Sequence, residues 1–150
     1  SDPIFNGIYF VSPAHQSYYK TAFNMFKDKP FTGHGLKSFR IKCFDKKYSV
    51  NKESCSTHPH NTYIQLLAET GIFTFIIVFS IFLILVKNLI LNLFNKKFIN
   101  KYELCLMCAV LITIWPLATT GSFYNNWLSI IYFFPLGLFK NKIANIKVDR

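Results

Sequence analysis

The sequence predicts an all-α, multi-pass integral membrane protein: a basic, aromatic-rich extramembrane segment followed by three apolar helices. Three observations lead there. Of 150 residues, 51% are hydrophobic and 18% aromatic, with 17 Phe, more apolar surface than one domain of this size can hide from water. The apolar residues concentrate beyond residue 60, in blocks over about 64–86, 104–120 and 123–139. Lysines collect between and after those blocks, as in membrane proteins that keep Lys and Arg on the cytoplasmic side. The chain is therefore divided into an outer loop, 1–60, a membrane part, 61–139, and a cytoplasmic tail, 140–150. Packing the three blocks as core helices of a soluble protein would require a larger shell than the chain supplies.

In the outer loop, the start at Ser1-Asp2-Pro3, without Met or a signal sequence, is expected to continue a longer protein with helices upstream. His15 to Lys29 is expected to be an amphipathic helix, because Tyr18, Tyr19, Ala22, Phe23 and Phe26 recur near helical spacing with Lys20, Asn24 and Lys27 between them. Pro30 ends it by disfavouring helical geometry in the residue before it. Gly33 and Gly35 then punctuate a turn, and two glycines so close permit a tight bend or a near approach of backbone to a ligand. Cys43 and Cys55 are expected to form a disulfide if the loop lies in an oxidising compartment. Zinc held by Cys43, Cys55, His58 and His60 is the alternative, although the spacing fits no close-paired zinc pattern.

The first block, Ile64 to Val86, is long enough for a hydrocarbon core of about 30 Å at 1.5 Å per residue. Lys87, Lys96, Lys97 and Lys101 follow it; Lys140, Lys142, Lys147 and Arg150 follow the third block. Both clusters are expected to face the cytoplasm. The uncharged turn from Gly121 to Asn126 then faces the other side, where Trp115, Tyr124, Trp127 and Tyr132 suit an interfacial belt. The loop of residues 1–60 shares that outer side despite its excess of Lys and Arg, as long loops are exempt from the charge rule. Its basic charge serves either solubility or attraction to an anionic ligand or membrane surface. Cys105 and Cys108 form Cys-x-x-Cys inside an apolar block, where packing is the expected role.

The most informative stretch runs from His58 to Gly71. Thr57 or His58 is expected to cap a helix with Pro59 in its first turn. That places His60 at a helix N-terminus, where the dipole favours a neutral imidazole and free N–H groups suit a phosphate oxygen. Asn61, Gln65 and Glu69, four apart, form one polar stripe. Such a stripe faces a cavity or acts as helix–helix glue, with His60 then an interfacial residue.

Pro30-x-x-Gly33-x-Gly35, followed by His60-Asn61-x-x-Ile64 with Gly71, resembles the bacterial O-antigen ligase and polymerase family, and Trp115-Pro116-Leu117 with Ser122 to Trp127 resembles its last helix pair. The resemblance implies an inner-membrane glycosyltransferase with its site on a periplasmic loop. It would move a glycan from a polyprenyl diphosphate carrier to a lipid A–core or glycan hydroxyl, as an O-antigen ligase or polymerase of lipopolysaccharide biosynthesis. By resemblance His60 is the base and Asn61 orients it or the acceptor; Arg40, Lys37 and His15 are candidates for the diphosphate, beside Gly33 and Gly35. An arginine common near the start of the first helix in the family is replaced here by His15-Gln16. No Asp-x-Asp metal motif occurs, so no metal or cofactor is expected, and the partners are the lipid-linked donor, the acceptor and membrane lipids, with no nucleic acid. A solute transporter using the polar stripe, a scaffold subunit and a zinc-binding outer domain are the rival classes.

Overall fold

The computed structural model describes residues 11–95 and 100–146, and side chains up to residue 138. Residues 1–10, 96–99 and 147–150 lie outside the described residues, and with them the predicted loop lysines Lys96 and Lys97 and the tail residues Lys147 and Arg150. The described residues are helical without strands. The helices are α1 (Pro13–Asp28), α2 (Phe39–Lys42), α3 (Thr62–Thr70), α4 (Ile72–Asn95), α5 (Lys101–Thr113) and α6 (Asn126–Ile146). They fall into two compact units, one of residues 1–78 with 116–124, the other of residues 79–115 with 125–150.

In the first unit, Ser12 caps α1 by accepting the His15 N–H, and Pro13 suits the first turn, where no N–H is needed. The face that α1 buries differs from the aromatic one expected. Gln16, Ser17, Thr21, Ala22 and Met25 point inward, whereas Phe23 is 48% exposed. Small and hydrogen-bonding side chains let α1 pack closely along α3; a row of rings on that face would hold the helices apart. Met25 and Ala22 join Phe39, Cys43, Tyr48 and Ala68 in one apolar core. Cys43 and Cys55 are joined by a disulfide with Cα atoms 5.1 Å apart, which uses both sulfurs that the zinc alternative needs. Asp28 accepts from the Tyr48 hydroxyl (2.7 Å) and from Lys47 Nζ, and these two donors hold its carboxyl below the usual range, Lys47 most strongly. His34 Nε2 donates to the Met25 carbonyl at 3.0 Å.

The glycine turn docks on the C-terminal end of α3. The N–H groups of His34 and Gly35 donate to the carbonyls of Ala68 (3.1 Å) and Glu69 (2.9 Å), which the end of a helix leaves without partners. Gly33 has φ +64, and a Cβ there would collide with the backbone of Glu69 and Thr70. Gly71 has φ +80, and a Cβ there would collide with the Phe31 and Pro30 carbonyls. The close approach that the glycines permit is thus of backbone to backbone.

Gly71 also divides the first apolar block. The expected helix from Ile64 becomes α3, ending at Thr70, and α4, starting at Ile72. Ile72–Phe94 is long and apolar enough to cross a membrane, and 11% of it is buried, where a soluble core helix would be mostly covered. Among the described residues no other helix meets both conditions. α5 has 13 residues, about 20 Å at 1.5 Å each, short of a hydrocarbon core. It stops before Trp115, whose helical geometry Pro116 disfavours, and the rest of the second block, 116–120, belongs to the first unit. α6 starts at Asn126, contains Pro135 and continues to Ile146, into the stretch read as the tail; its apolar part is Asn126–Leu138.

In the second unit, α5 carries a capping box, Asn100 accepting the Glu103 N–H at 2.9 Å. Met107, Val110, Leu111 and Ile114 pack with Phe82 and Leu85 of α4. Tyr132, expected at an interface, is buried at 5% exposure.

The clash geometry yields a stability prediction. Gly35→Ala meets no neighbour and pays only the left-handed backbone penalty, about 1–2 kcal/mol. Gly33→Ala adds the collision with α3 and is expected to lower the melting temperature of the purified protein by clearly more. Equal losses in the two variants would mean that the turn does not sit on α3.

Candidate functional site

Three histidines of the first unit converge. The His60 ring centroid lies 4.1 Å from that of His58 and 5.3 Å from that of His15, with Tyr18 at 5.7 Å. α1 supplies His15 and Tyr18 one turn apart, and the segment before α3 supplies His58 and His60.

The helix start differs from the expectation, with consequences for His60. Asn61, rather than Thr57 or His58, is the N-cap of α3: its Oδ1 accepts from the N–H groups of Tyr63 (3.0 Å) and Ile64 (3.1 Å). Its Nδ2 donates to the Pro116 carbonyl at 2.8 Å. The N–H groups expected to await a phosphate are thereby filled. His60 precedes the cap, in the left-handed region at φ +60, which a non-glycine residue adopts only where its surroundings enforce it. Here the Thr120 N–H donates to the His60 carbonyl at 3.0 Å, and the fully buried Pro59 fixes the chain before it. That conformation folds the His58 ring back over His60.

The polar environment sets the charge of both rings. Burial lowers the His60 pKa below the ordinary 6.5, and the neighbouring His58 and His15 lower it further. Burial likewise lowers that of His58; the hydrogen bond to Thr120 opposes this and the Arg40 charge adds to it. His58 Nε2 donates to the Thr120 carbonyl at 3.1 Å, so Nδ1 accepts from the Thr57 hydroxyl at 2.9 Å. His60 Nε2 contacts Ser56 Oγ at 3.0 Å. His15 Nδ1 contacts Ser12 Oγ at 2.8 Å. His60 is thus a partly buried imidazole whose hold on a proton is weakened by burial and by its two neighbouring rings.

The stripe below is buried and fully engaged. Gln65 Nε2 donates to Glu69 Oε2 (2.9 Å) and Ser122 Oγ (3.0 Å), while Gln65 Oε1 accepts the Phe123 N–H (2.9 Å). Glu69 Oε1 accepts the Phe39 N–H at 2.9 Å, and the Lys37 N–H also bonds this carboxylate. Burial raises the Glu69 pKa against those donors and the nearby Arg40 charge. Asn61, Gln65 and Glu69 therefore bind loop segments to α3.

Part of the chain is similar to a known protein family. The model of that family, described as O-antigen ligase, matches residues 15–79, a span holding His15, the glycine turn, Arg40, His60 and Gly71. No curated protein and no solved structure matches the chain.

Within the matched stretch, the structure brings His15 and His60 together and sets Arg40 within electrostatic reach of His58 and Glu69. Gly33 lies against α3 instead, and Lys37 has φ +57 with an exposed side chain. Sequence reasoning missed His58, Ser56 and Tyr18 as neighbours of His60. The His-x-His spacing was visible, but only the left-handed turn at His60 brings the two rings together.

The depressed histidine pKa values predict a pH effect on stability. The unfolded chain binds protons near pH 6.5 that the folded site resists, so folding weakens as pH falls through and below that value. Replacing both His58 and His60 with Gln is expected to flatten the fall in melting temperature from pH 7 to pH 5, relative to wild type. An unchanged slope would show that these rings are not shielded.

Proposed function

We propose that the protein is an O-antigen ligase-like glycosyltransferase of the bacterial inner membrane, with α4 crossing the bilayer and the His60 cluster at its periplasmic mouth. The observation that carries this is the partly buried His60, its pKa lowered, in an enforced left-handed turn inside the stretch that matches the O-antigen ligase model. The donor is a glycan on a polyprenyl diphosphate carrier, and the acceptor is a hydroxyl of lipid A–core.

In the proposed reaction the acceptor oxygen attacks the anomeric carbon while the bond from that carbon to the diphosphate oxygen breaks, and the carrier leaves as its diphosphate. The hydroxyl proton goes to His60. With Nε2–H donating to Ser56, Nδ1 holds the lone pair that receives it. Desolvation and the neighbouring rings keep that lone pair free of a proton at neutral pH, as a base requires. Asn61 holds the backbone on which His60 sits. Arg40 offers a planar fork to the departing diphosphate, with Lys37 and His15 as further donors, and the chemistry draws on no metal or cofactor.

The test uses the full-length gene in a strain without its own ligase, with lipopolysaccharide resolved on a gel. Wild type is expected to restore long-chain material on lipid A–core, and His60→Ala to reduce transfer by about 10²–10⁴-fold at equal expression. Restoration only in a polymerase-deficient strain would reassign the acceptor to the growing chain; solute flux without glycan product would make it a transporter.

Arg40→Ala is expected to raise the KM for the lipid-linked donor and to lower kcat, because the fork meets charge that grows as the diphosphate leaves. A donor KM equal to wild type would remove Arg40 from the donor site.

A further inference from the structure

An open apolar groove lies along α1 among the described residues. Tyr19, Lys20 and Phe23 of α1, with Ile64 and Leu67 of α3, line an open groove of about 260 Å³ with almost no polar wall. Phe23 packs against Phe26 at 5.9 Å between ring centroids, and Lys27 Nζ lies 4.9 Å over the Phe23 ring. Phe31, 65% exposed, meets Phe73, 62% exposed, at 6.1 Å.

Two features say what covers this face. One is continuity: α3 runs through Gly71 into α4, whose exposed Phe73, Ile76 and Ile77 are the start of the helix long enough to cross a bilayer. Leu67 of the groove lies on the helix that leads into the span, and the exposed Phe31 meets Phe73 at its start. The other is charge. Lys20, Phe23 and Lys27 share one stripe at helical spacing, so each lysine can lay its stem on the apolar face and keep its ammonium at the lipid headgroups. An aromatic and apolar face with flanking lysines is the composition of a helix lying in a membrane interface.

We propose that α1 is seated in the outer interface of the bilayer, with lipid acyl chains filling the Tyr19–Phe23–Ile64–Leu67 groove and anionic headgroups meeting Lys20 and Lys27. This rests on α4 being a membrane span. Seated so, α1 holds His15 and Tyr18 at the height where a membrane-bound carrier presents its diphosphate.

The experiment labels single cysteines with nitroxide in the full-length protein, in a Cys105→Ala, Cys108→Ala background with the Cys43–Cys55 disulfide intact. The protein is reconstituted in phosphatidylethanolamine–phosphatidylglycerol vesicles. Phe23→Cys is expected to give a severalfold higher ratio of oxygen to nickel-chelate accessibility than the exposed Lys46→Cys. Ile77→Cys reports on the span separately. A lipid-like Ile77 with a water-like Phe23 overturns the seating of α1 and leaves the span; a water-like Ile77 overturns both. A Phe23 label shielded from oxygen and nickel alike would mean protein cover, and would overturn the proposal in favour of a partner chain. Lys20→Glu with Lys27→Glu is expected to lower the Phe23 ratio in these vesicles and to leave Ile77 unchanged.

Discussion

The backbone contact between the glycine turn and the end of α3 is the constraint on which the first unit rests. Two chain segments approach so closely that neither Gly33 nor Gly71 has room for a Cβ. The Ile72 N–H also bonds the Pro30 carbonyl at 2.8 Å, so the turn closes the carbonyl end of α3 and holds the first residue of α4. Once the turn is fixed, Phe39 falls over Glu69 and can donate to it, and α2 follows with Arg40. The buried carboxylate of Glu69 is satisfied only because the docked loop brings N–H groups to it. A buried acceptor without such donors would cost about 1–3 kcal/mol, so docking and polar satisfaction depend on one another.

A second clasp acts at the other end of α3. Asn61 spends Oδ1 on the cap and Nδ2 on Pro116, Thr62 contacts Thr120 at 3.0 Å, and Gln65 takes Ser122 and Phe123. Residues 116–124 are thereby folded onto the start of α3, and Thr120 in turn holds both His58 and His60. The strain at His60 is offset by these bonds.

The helical class, the end of α1 at Pro30, and the pairing partners Cys43 and Cys55 were all legible in residue types and spacing. The buried face of α1 was not. Hydrophobic periodicity marks the face that avoids water, and in α1 Phe23 is turned outward while Gln16, Ser17 and Thr21 are buried. Binary patterning assumes that a protein core receives the apolar face, which fails where a second apolar solvent competes for it. The break at Gly71 was hidden for a related reason. Apolar composition runs on through the glycine, and only the fit against Phe31 and Pro30, 40 residues away in sequence, reveals that the helix must end there.

Asn61 shows the limit of motif reasoning most sharply. Beside a candidate base, an asparagine invites a role at the substrate, yet each side-chain atom able to bond is engaged by backbone. Its contribution to His60 is positional. Asp in its place could still cap α3 through its oxygens, but it would present a second oxygen to the Pro116 carbonyl and lose the bond that ties 116–124 down. The amide is required because this position must accept on one side and donate on the other. A His-Asn pair ahead of a helix is therefore a statement about backbone geometry first, and the chemistry of the histidine follows from it.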